Sequence, residues 1–125
     1  MKWTSTITLI FLLFPTIAFC ETDTVACIYK SYSDETGLHE IKKQFKLIFI
    51  IDKANETAYM VGNQGSTDVT LIQSSSGGIT FVEITPSGNI MTTTIDSKGT
   101  SVHSRNTVFN GEIAPSQYYG KCIFK

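Results

Sequence analysis

Residues 41–52 have the sequence IKKQFKLIFIID, which gives the clearest strand signal in the chain. In its later part every second residue is large and apolar, at Phe45, Leu47, Phe49 and Ile51. Because successive side chains of a strand point to opposite faces, this alternation predicts a strand with one apolar face. Ile48 and Ile50 make the opposite face apolar as well. That face is therefore expected either to be covered or to contact a partner.

The rest of the chain repeats this pattern at short intervals. Runs rich in Val, Ile, Thr, Phe and Tyr alternate with clusters of Gly, Asn, Asp, Ser and Pro, which is typical of strands joined by tight turns. The predicted strands are residues 24–33, 41–52, 57–61, 68–74, 79–85, 90–95, 100–109 and 117–124. Asn110-Gly111 is the strongest hairpin signal. Pro115 is expected to cut a short segment, 112–114, away from the last strand.

About eight strands joined by short turns predict an all-β fold, a small antiparallel up-and-down β-barrel. Cys27 lies on the apolar face of the first strand and Cys122 on that of the last. If the barrel closes, these two strands become neighbours, so the cysteines are predicted to form a disulfide that ties the ends of the chain. Cysteine placement and strand count thus favour the same architecture.

Two structural alternatives stay open on the sequence alone. Leu38, Ile41 and Phe45 have the spacing of a short helix before the second strand, although the β-branched and aromatic residues that follow favour a strand. The same set of strands also suits a two-sheet β-sandwich, which is the alternative fold.

Residues 1–20 have the layout of a secretory signal peptide: Lys2, an apolar stretch too short for a membrane span, and small residues before Glu21. Cleavage after Cys20 is favoured over cleavage after Ala18 because it leaves an even number of cysteines. A lipid-anchored Cys20 is a further alternative. Residues 21–125 are then a single exported β-domain, periplasmic or extracellular, with no transmembrane segment and in a compartment where disulfides persist.

Composition excludes several classes of function. The net charge is −1 and no basic patch is present, so no nucleic-acid partner is expected. No Gly-x-Ser-x-Gly element, phosphate-binding loop or cluster of metal ligands occurs, and neither a cofactor nor a metal is expected. Glu83 and Glu112 are isolated carboxylates on different strands, and no catalytic residue is assigned.

The candidate binding residues form two groups. His103 and Arg105 are two apart on one strand and, with Tyr118 or Tyr119, are the candidates for a small pocket for an anion or polar ligand. The residue types alone favour a solvated strand face instead, or two charged groups that protect an edge strand. Ile48 and Ile50, together with one of the two tyrosines, are the candidate surface for a protein partner.

Two segments near the C-terminus resemble segments of other proteins. Val102-His-Ser-Arg-Asn-Thr107 and Pro115-Ser-Gln-Tyr-Tyr-Gly-Lys-Cys122 are similar to the ends of short exported bacterial proteins of unknown function. This resemblance covers about the last quarter of the chain and implies no activity. In size, compartment and fold class the chain also resembles the periplasmic lysozyme inhibitors, but their inhibitory loop is absent from it.

These observations favour an exported, non-enzymatic binding or interaction module, with a protein partner or a small apolar ligand. The alternatives are a small hydrolase-like enzyme that uses a carboxylate or His103, a lipocalin-like carrier with a hollow barrel lined by Phe45, Leu47 and Phe49, and a structural component of the cell envelope.

Overall fold

The computed structural model describes residues 13–17, 21–62 and 65–125. All regular secondary structure in these ranges is strand. The strands are β1 Thr22–Asp34, β2 Gly37–Asp52, β3 Thr57–Gly62, β4 Gly65–Gln73, β5 Ile79–Ile84, β6 Ile90–Ile95, β7 Thr100–Phe109 and β8 Glu112–Phe124. Most of the predicted signal peptide, including Ala18 and Cys20, lies outside the described residues, so that assignment stays a prediction.

Each strand pairs antiparallel with the next, and β8 pairs with β1, which closes the sheet. The predicted fold class, a closed up-and-down barrel of eight strands, is therefore confirmed. The two-sheet sandwich and the short helix at Leu38–Phe45 were wrong, because those residues belong to β2 and the sheet has no break between two layers. Helix spacing failed there because Leu38 and Phe45, on either side of Ile41, pair with Ser33 and Tyr29 of β1 and keep the segment extended.

The predicted disulfide is present. Cys27 and Cys122 are direct partners in the β1–β8 ladder, and their sulfur atoms are bonded. Both side chains point into the barrel and are buried. The bond therefore pins the seam at which the two ends of the sheet meet.

Pro115 does not end a strand, which corrects the prediction of a separate segment at 112–114. It lies within β8 and is paired with Asn106 of β7. On its other side, the β1–β8 ladder begins only at Gln117, which pairs with Ser33. Pro115 thus lies where β8 has one unpaired edge, and its missing N–H costs no hydrogen bond there.

A wide bulge in β2 shapes one end of the barrel. Tyr29 pairs with Phe45, but Ser31 pairs with Glu40, so Lys30 alone faces the four-residue segment 41–44. The extra residues interrupt the β1–β2 ladder and bend β2 near the end of the barrel that also carries the β1–β2 and β7–β8 hairpins. We call this end the open end.

The opposite half of the barrel is filled by side chains. Its buried apolar residues include Val25, Phe49, Ile51, Ala58, Val69, Phe81 and Ile95. The rings of Phe49 and Phe81 stack with their centroids 4.1 Å apart and their planes 3° apart. Because β2 and β5 are not hydrogen-bonded neighbours, this ring pair joins opposite walls of the barrel.

Gly120 marks the closest approach of β8 to β1. It pairs with Tyr29, and a Cβ atom at this position would overlap the carbonyl oxygen of Ile28. Because the obstacle is backbone, a side-chain rotation cannot relieve it. We expect Gly120→Ala to destabilise the fold by about 1–3 kcal/mol, measured by urea unfolding. Gly62→Ala is the matched control, since a Cβ there meets only ordinary contacts. Equal midpoints for the two variants would contradict the prediction.

Candidate functional site

An open cleft of about 870 Å³ lies at the open end of the barrel. Its apolar walls are the side chains of Tyr32, Leu38, Ile41, Phe45 and Tyr118, contributed by β1, β2 and β8. Arg105 of β7 contributes a cation to its wall. Charged or titratable residues of β2 also line it, namely His39, Glu40, Lys42 and Lys43. The cleft combines aromatic walls with a positive group, which is a usual composition for a small-ligand site.

Arg105 is held against two aromatic rings. Its guanidinium carbon lies 5.0 Å from the centroid of the Phe45 ring and 4.9 Å from that of Tyr118. These distances are in the range of cation–π contacts. Its Nε donates a hydrogen bond of 3.2 Å to Nε2 of His103. Among the described residues no carboxylate forms an ion pair with Arg105.

His103 lies deeper in the barrel and is only 2% exposed. Because an arginine Nε–H can only donate, Nε2 of His103 must accept, and the ring proton of the neutral histidine is on Nδ1. Nδ1 then donates to the hydroxyl of Thr93 at 2.8 Å. Burial, with a smaller contribution from the charge of Arg105, lowers the pKa of His103 to about 4. The imidazole is therefore neutral at pH 7.

A further polar pair continues this network towards the filled half. The hydroxyl of Tyr29 lies 3.0 Å from Oγ of Ser101. Burial raises the pKa of Tyr29, against the opposing effect of hydrogen bonds from Ser101 and Thr93. Within the described part of the chain, no buried side-chain nitrogen or oxygen lacks a hydrogen-bond partner. The network therefore fixes His103, and through it Arg105, in one orientation.

Glu83 is the acidic group that responds to Arg105. Its residue pairs with Met91 on β6, which in turn pairs with Arg105. All three therefore share the inner face. Burial raises the pKa of Glu83, and the charge of Arg105 partly opposes this. Glu112, the other isolated carboxylate, lies exposed at the tip of the β7–β8 hairpin.

The structure brings together only some of the predicted site residues. His103, Arg105 and Tyr118 meet inside the open end, since Tyr118 pairs with His103. The interpretation of His103 as part of a solvated strand face was wrong, because its side chain is buried. Tyr119 points outward instead, and its hydroxyl lies 2.8 Å from Oγ of Ser33.

The second group of predicted residues forms a separate surface. Ile48 and Ile50 lie half-buried on the outer face of β2, and Ala26 of β1 pairs with Ile48. An outer depression of about 450 Å³ follows on β1 and β8, between Ile28 and Ile123, with Tyr119 beside it. We call these residues, Ala26, Ile28, Ile48, Ile50 and Ile123, the outer patch.

Several members of the site were not assigned from the sequence, and three of them hold Arg105 or its supporting network. Tyr29 and Thr93 hold the buried end of the network, and Phe45 contacts the guanidinium of Arg105. Phe45 was expected on an apolar inner face, but nothing in the sequence pairs it with a cation. Tyr29 follows Cys27 by two residues and therefore lies on the same face of β1. That spacing was a usable signal, because it places the tyrosine inside the barrel with the cysteine.

No protein-family model matches this chain, and neither the curated proteins nor the solved structures contain a match to it. Among the residues that the structure describes, no helix is long and apolar enough to cross a membrane. Within the same ranges, no three His, Cys, Asp or Glu side chains are arranged to hold a metal ion.

Acidification is expected to destabilise the protein through His103. Its pKa is about 4 in the folded chain against an ordinary value of 6.5. The unfolded chain therefore binds the proton more readily. The contribution of the neutral His103 to the free energy of unfolding is complete above about pH 6.5. It is lost as the pH falls towards 4, and the loss is up to about 3 kcal/mol. Urea unfolding at intervals between pH 7 and pH 4 measures it.

The carboxylates with shifted pKa values also make the stability depend on pH, and their effects can be separated from that of His103. Asp34, Asp52 and Asp96 have lowered pKa values, so their contributions are lost below about pH 4. Glu83 has a raised pKa, so its protonation stabilises the fold as the pH falls, which opposes the effect of His103. Measurements on a Glu83→Gln variant remove this opposing effect. An NMR titration of the His103 ring is the direct readout. A midpoint near 6.5 would refute the prediction.

Proposed function

We propose that this protein is an exported, non-enzymatic binding module that takes a small ligand into the open end of its barrel. The observation that carries the proposal is Arg105, an arginine without an ion-pair partner in the described residues, fixed in an aromatic cleft. Export is part of the proposal, because the Cys27–Cys122 bond is of the kind that persists in oxidising compartments.

The hydrogen bonds of His103 favour binding over hydrolysis. A general base needs a free nitrogen within reach of the proton that it abstracts. Nε2 of His103 accepts from Arg105, and Nδ1 is bonded to Thr93. Thr93 is itself buried, so its hydroxyl does not face a substrate in the cleft. The His103 network therefore positions a cation and presents no base or nucleophile of its own. His39 and Glu40 also line the cleft, and Nε2 of His39 is bonded to Asp34 and Thr36.

The filled half of the barrel distinguishes this site from a deep carrier cavity. Phe49 and Phe81 occupy the space that a hollow barrel would offer to a ligand. Phe45 lines the cleft instead of a central cavity. A ligand is therefore proposed to sit at the mouth, partly exposed, between the β2 bulge and the end of β7.

Two isoleucines on β2 provide a matched test of the location. Ile41 lines the cleft, whereas Ile48 belongs to the outer patch, and both are partly buried. The probe is N-phenyl-1-naphthylamine, a neutral aromatic dye whose fluorescence rises in apolar surroundings. We expect Ile41→Lys to weaken dye binding by about tenfold or more and Ile48→Lys to change it less than about twofold.

Circular dichroism and urea unfolding establish that both variants fold. Binding that is lost in Ile48→Lys and kept in Ile41→Lys would overturn the proposal and assign the site to the outer patch. Absence of dye binding to the unmodified protein would also count against it. Amide NMR shifts on dye addition provide a second readout, expected at Tyr32 and Tyr118 and not at Ile50.

A further inference from the structure

We infer that the ligand is a monovalent organic anion whose carboxylate or sulfonate group is bound by the guanidinium of Arg105 and whose apolar body lies against Phe45 and Tyr118. This inference rests on the proposed function, since it assigns the chemistry of the ligand at the same site.

The guanidinium of Arg105 has hydrogen-bond donors that no described residue uses. Its Nε–H is used by His103, and no described residue accepts a hydrogen bond from either terminal NH₂ group. An arginine presents its donors in a planar fork that matches a carboxylate or a sulfonate better than a single neutral acceptor. A half-buried arginine with this fork free and facing a cleft is a site for an anion.

The orientation of the fork is fixed before any ligand arrives. Thr93 holds one nitrogen of the His103 ring, and the other nitrogen holds Nε of Arg105. The rings of Phe45 and Tyr118, whose centroids are 4.8 Å apart, limit the remaining movement of the guanidinium. Less side-chain freedom is lost on binding as a result, which favours affinity.

The surroundings of Arg105 select the rest of the ligand. Leu38, Ile41 and Tyr32 supply apolar and aromatic surface beside the cation, so an inorganic anion would leave much of the cleft unused. Lys42 and Lys43 attract negative charge towards the cleft, and the single carboxylate of Glu40, which also lines it, opposes them only in part.

Glu83 opposes a high ligand charge. It shares the inner face with Arg105 and is close enough for the two charges to interact. A ligand with several negative charges would be repelled by this carboxylate, whereas a single negative charge facing Arg105 is balanced. The cleft therefore fits an anion with one charge and an apolar body.

A matched pair of dyes tests the inference. 8-Anilinonaphthalene-1-sulfonate has the ring system of N-phenyl-1-naphthylamine with one sulfonate added. In fluorescence titrations at low salt, we expect Arg105→Gln to weaken binding of the sulfonate dye by about tenfold or more and binding of the neutral dye by less than about twofold. Glu83→Gln is expected to strengthen binding of the sulfonate dye alone, by about two- to fivefold. Lys121→Gln, on the outer face, is the charge-matched control and should change neither.

The outcomes separate this inference from the proposed function. If both dyes are lost in Ile41→Lys but Arg105→Gln affects them equally or not at all, the cleft binds ligands and the assignment of an anion is wrong. If the sulfonate dye binds and neither Ile41→Lys nor Arg105→Gln weakens it, both proposals fail. A selective loss of the sulfonate dye in Arg105→Gln, with the fold intact by circular dichroism, supports both.

Discussion

Reduction of the Cys27–Cys122 disulfide is expected to lower the free energy of unfolding by about 4–5 kcal/mol. The two cysteines are 95 residues apart, so the bond closes a loop that contains nearly the whole barrel. An unfolded chain with such a closed loop has far fewer conformations than an open one, and reduction restores them. This is a large fraction of the stability of a domain of this size.

The measurement compares urea unfolding of the oxidised and the reduced protein. Reduced protein keeps both sulfur atoms, so the difference reports the cross-link and not the packing of the side chains. A Cys27→Ala/Cys122→Ala variant is the control for the reductant, since its midpoint should be the same with and without it. A loss below about 1 kcal/mol would show that the β1–β8 ladder closes the barrel without help from the bond.

The closure of the barrel was predictable because two independent features of the sequence agree. Strand number and turn length predict an up-and-down sheet, and the cysteines near its two ends require those ends to meet. Once Cys27 and Cys122 are opposed, parity alone places Tyr29 and Tyr118 inside the barrel and Tyr119 outside. Without that register, the choice between Tyr118 and Tyr119 stays open on the sequence alone.

The composition of the site was less predictable because it depends on long-range register. His103 contacts Thr93 on β6, and Arg105 contacts Phe45, which lies on β2 across the mouth. Neither contact follows from the spacing within one strand. His103 and Arg105 alternate with Ser104 like any half-exposed strand, so a solvated face was a reasonable alternative until the barrel placed both side chains inside.

The bulge in β2 was hidden for a different reason. Lys42, Lys43 and Gln44 are polar neighbours in a row, which interrupts the alternation of a regular strand. The predicted strand included this interruption and began at residue 41, whereas β2 begins at Gly37 and leaves the β1 ladder over 41–44. Residues 41–44 of the bulge also line the cleft, so the irregular part of the pattern is the part that contributes to the site.

Phe49→Ala is expected to destabilise the barrel by about 3–5 kcal/mol. Phe49 and Phe81 are each 1% exposed and stack across the barrel, so removing one ring leaves a cavity that strands held by hydrogen bonds cannot close. Phe109→Ala is the matched control, because that ring is 71% exposed at the tip of the β7–β8 hairpin. We expect the control to change the free energy of unfolding by less than about 0.5 kcal/mol.

The Phe49→Ala variant also tests whether ligand binding at the open end depends on the packing of the filled half. The filled half supports the walls that carry Arg105, but no part of the Phe49 ring lines the cleft. Under conditions where Phe49→Ala is still folded, binding of the sulfonate dye to the open end should therefore change less than about twofold.

A Phe49→Leu/Phe81→Leu double-mutant cycle measures the coupling of the rings, expected at about 0.5–1.5 kcal/mol. Small losses in all three variants would mean that the rings do not support the barrel. Strong dye binding gained by Phe49→Ala would show that a ligand enters the deeper half once space is made there.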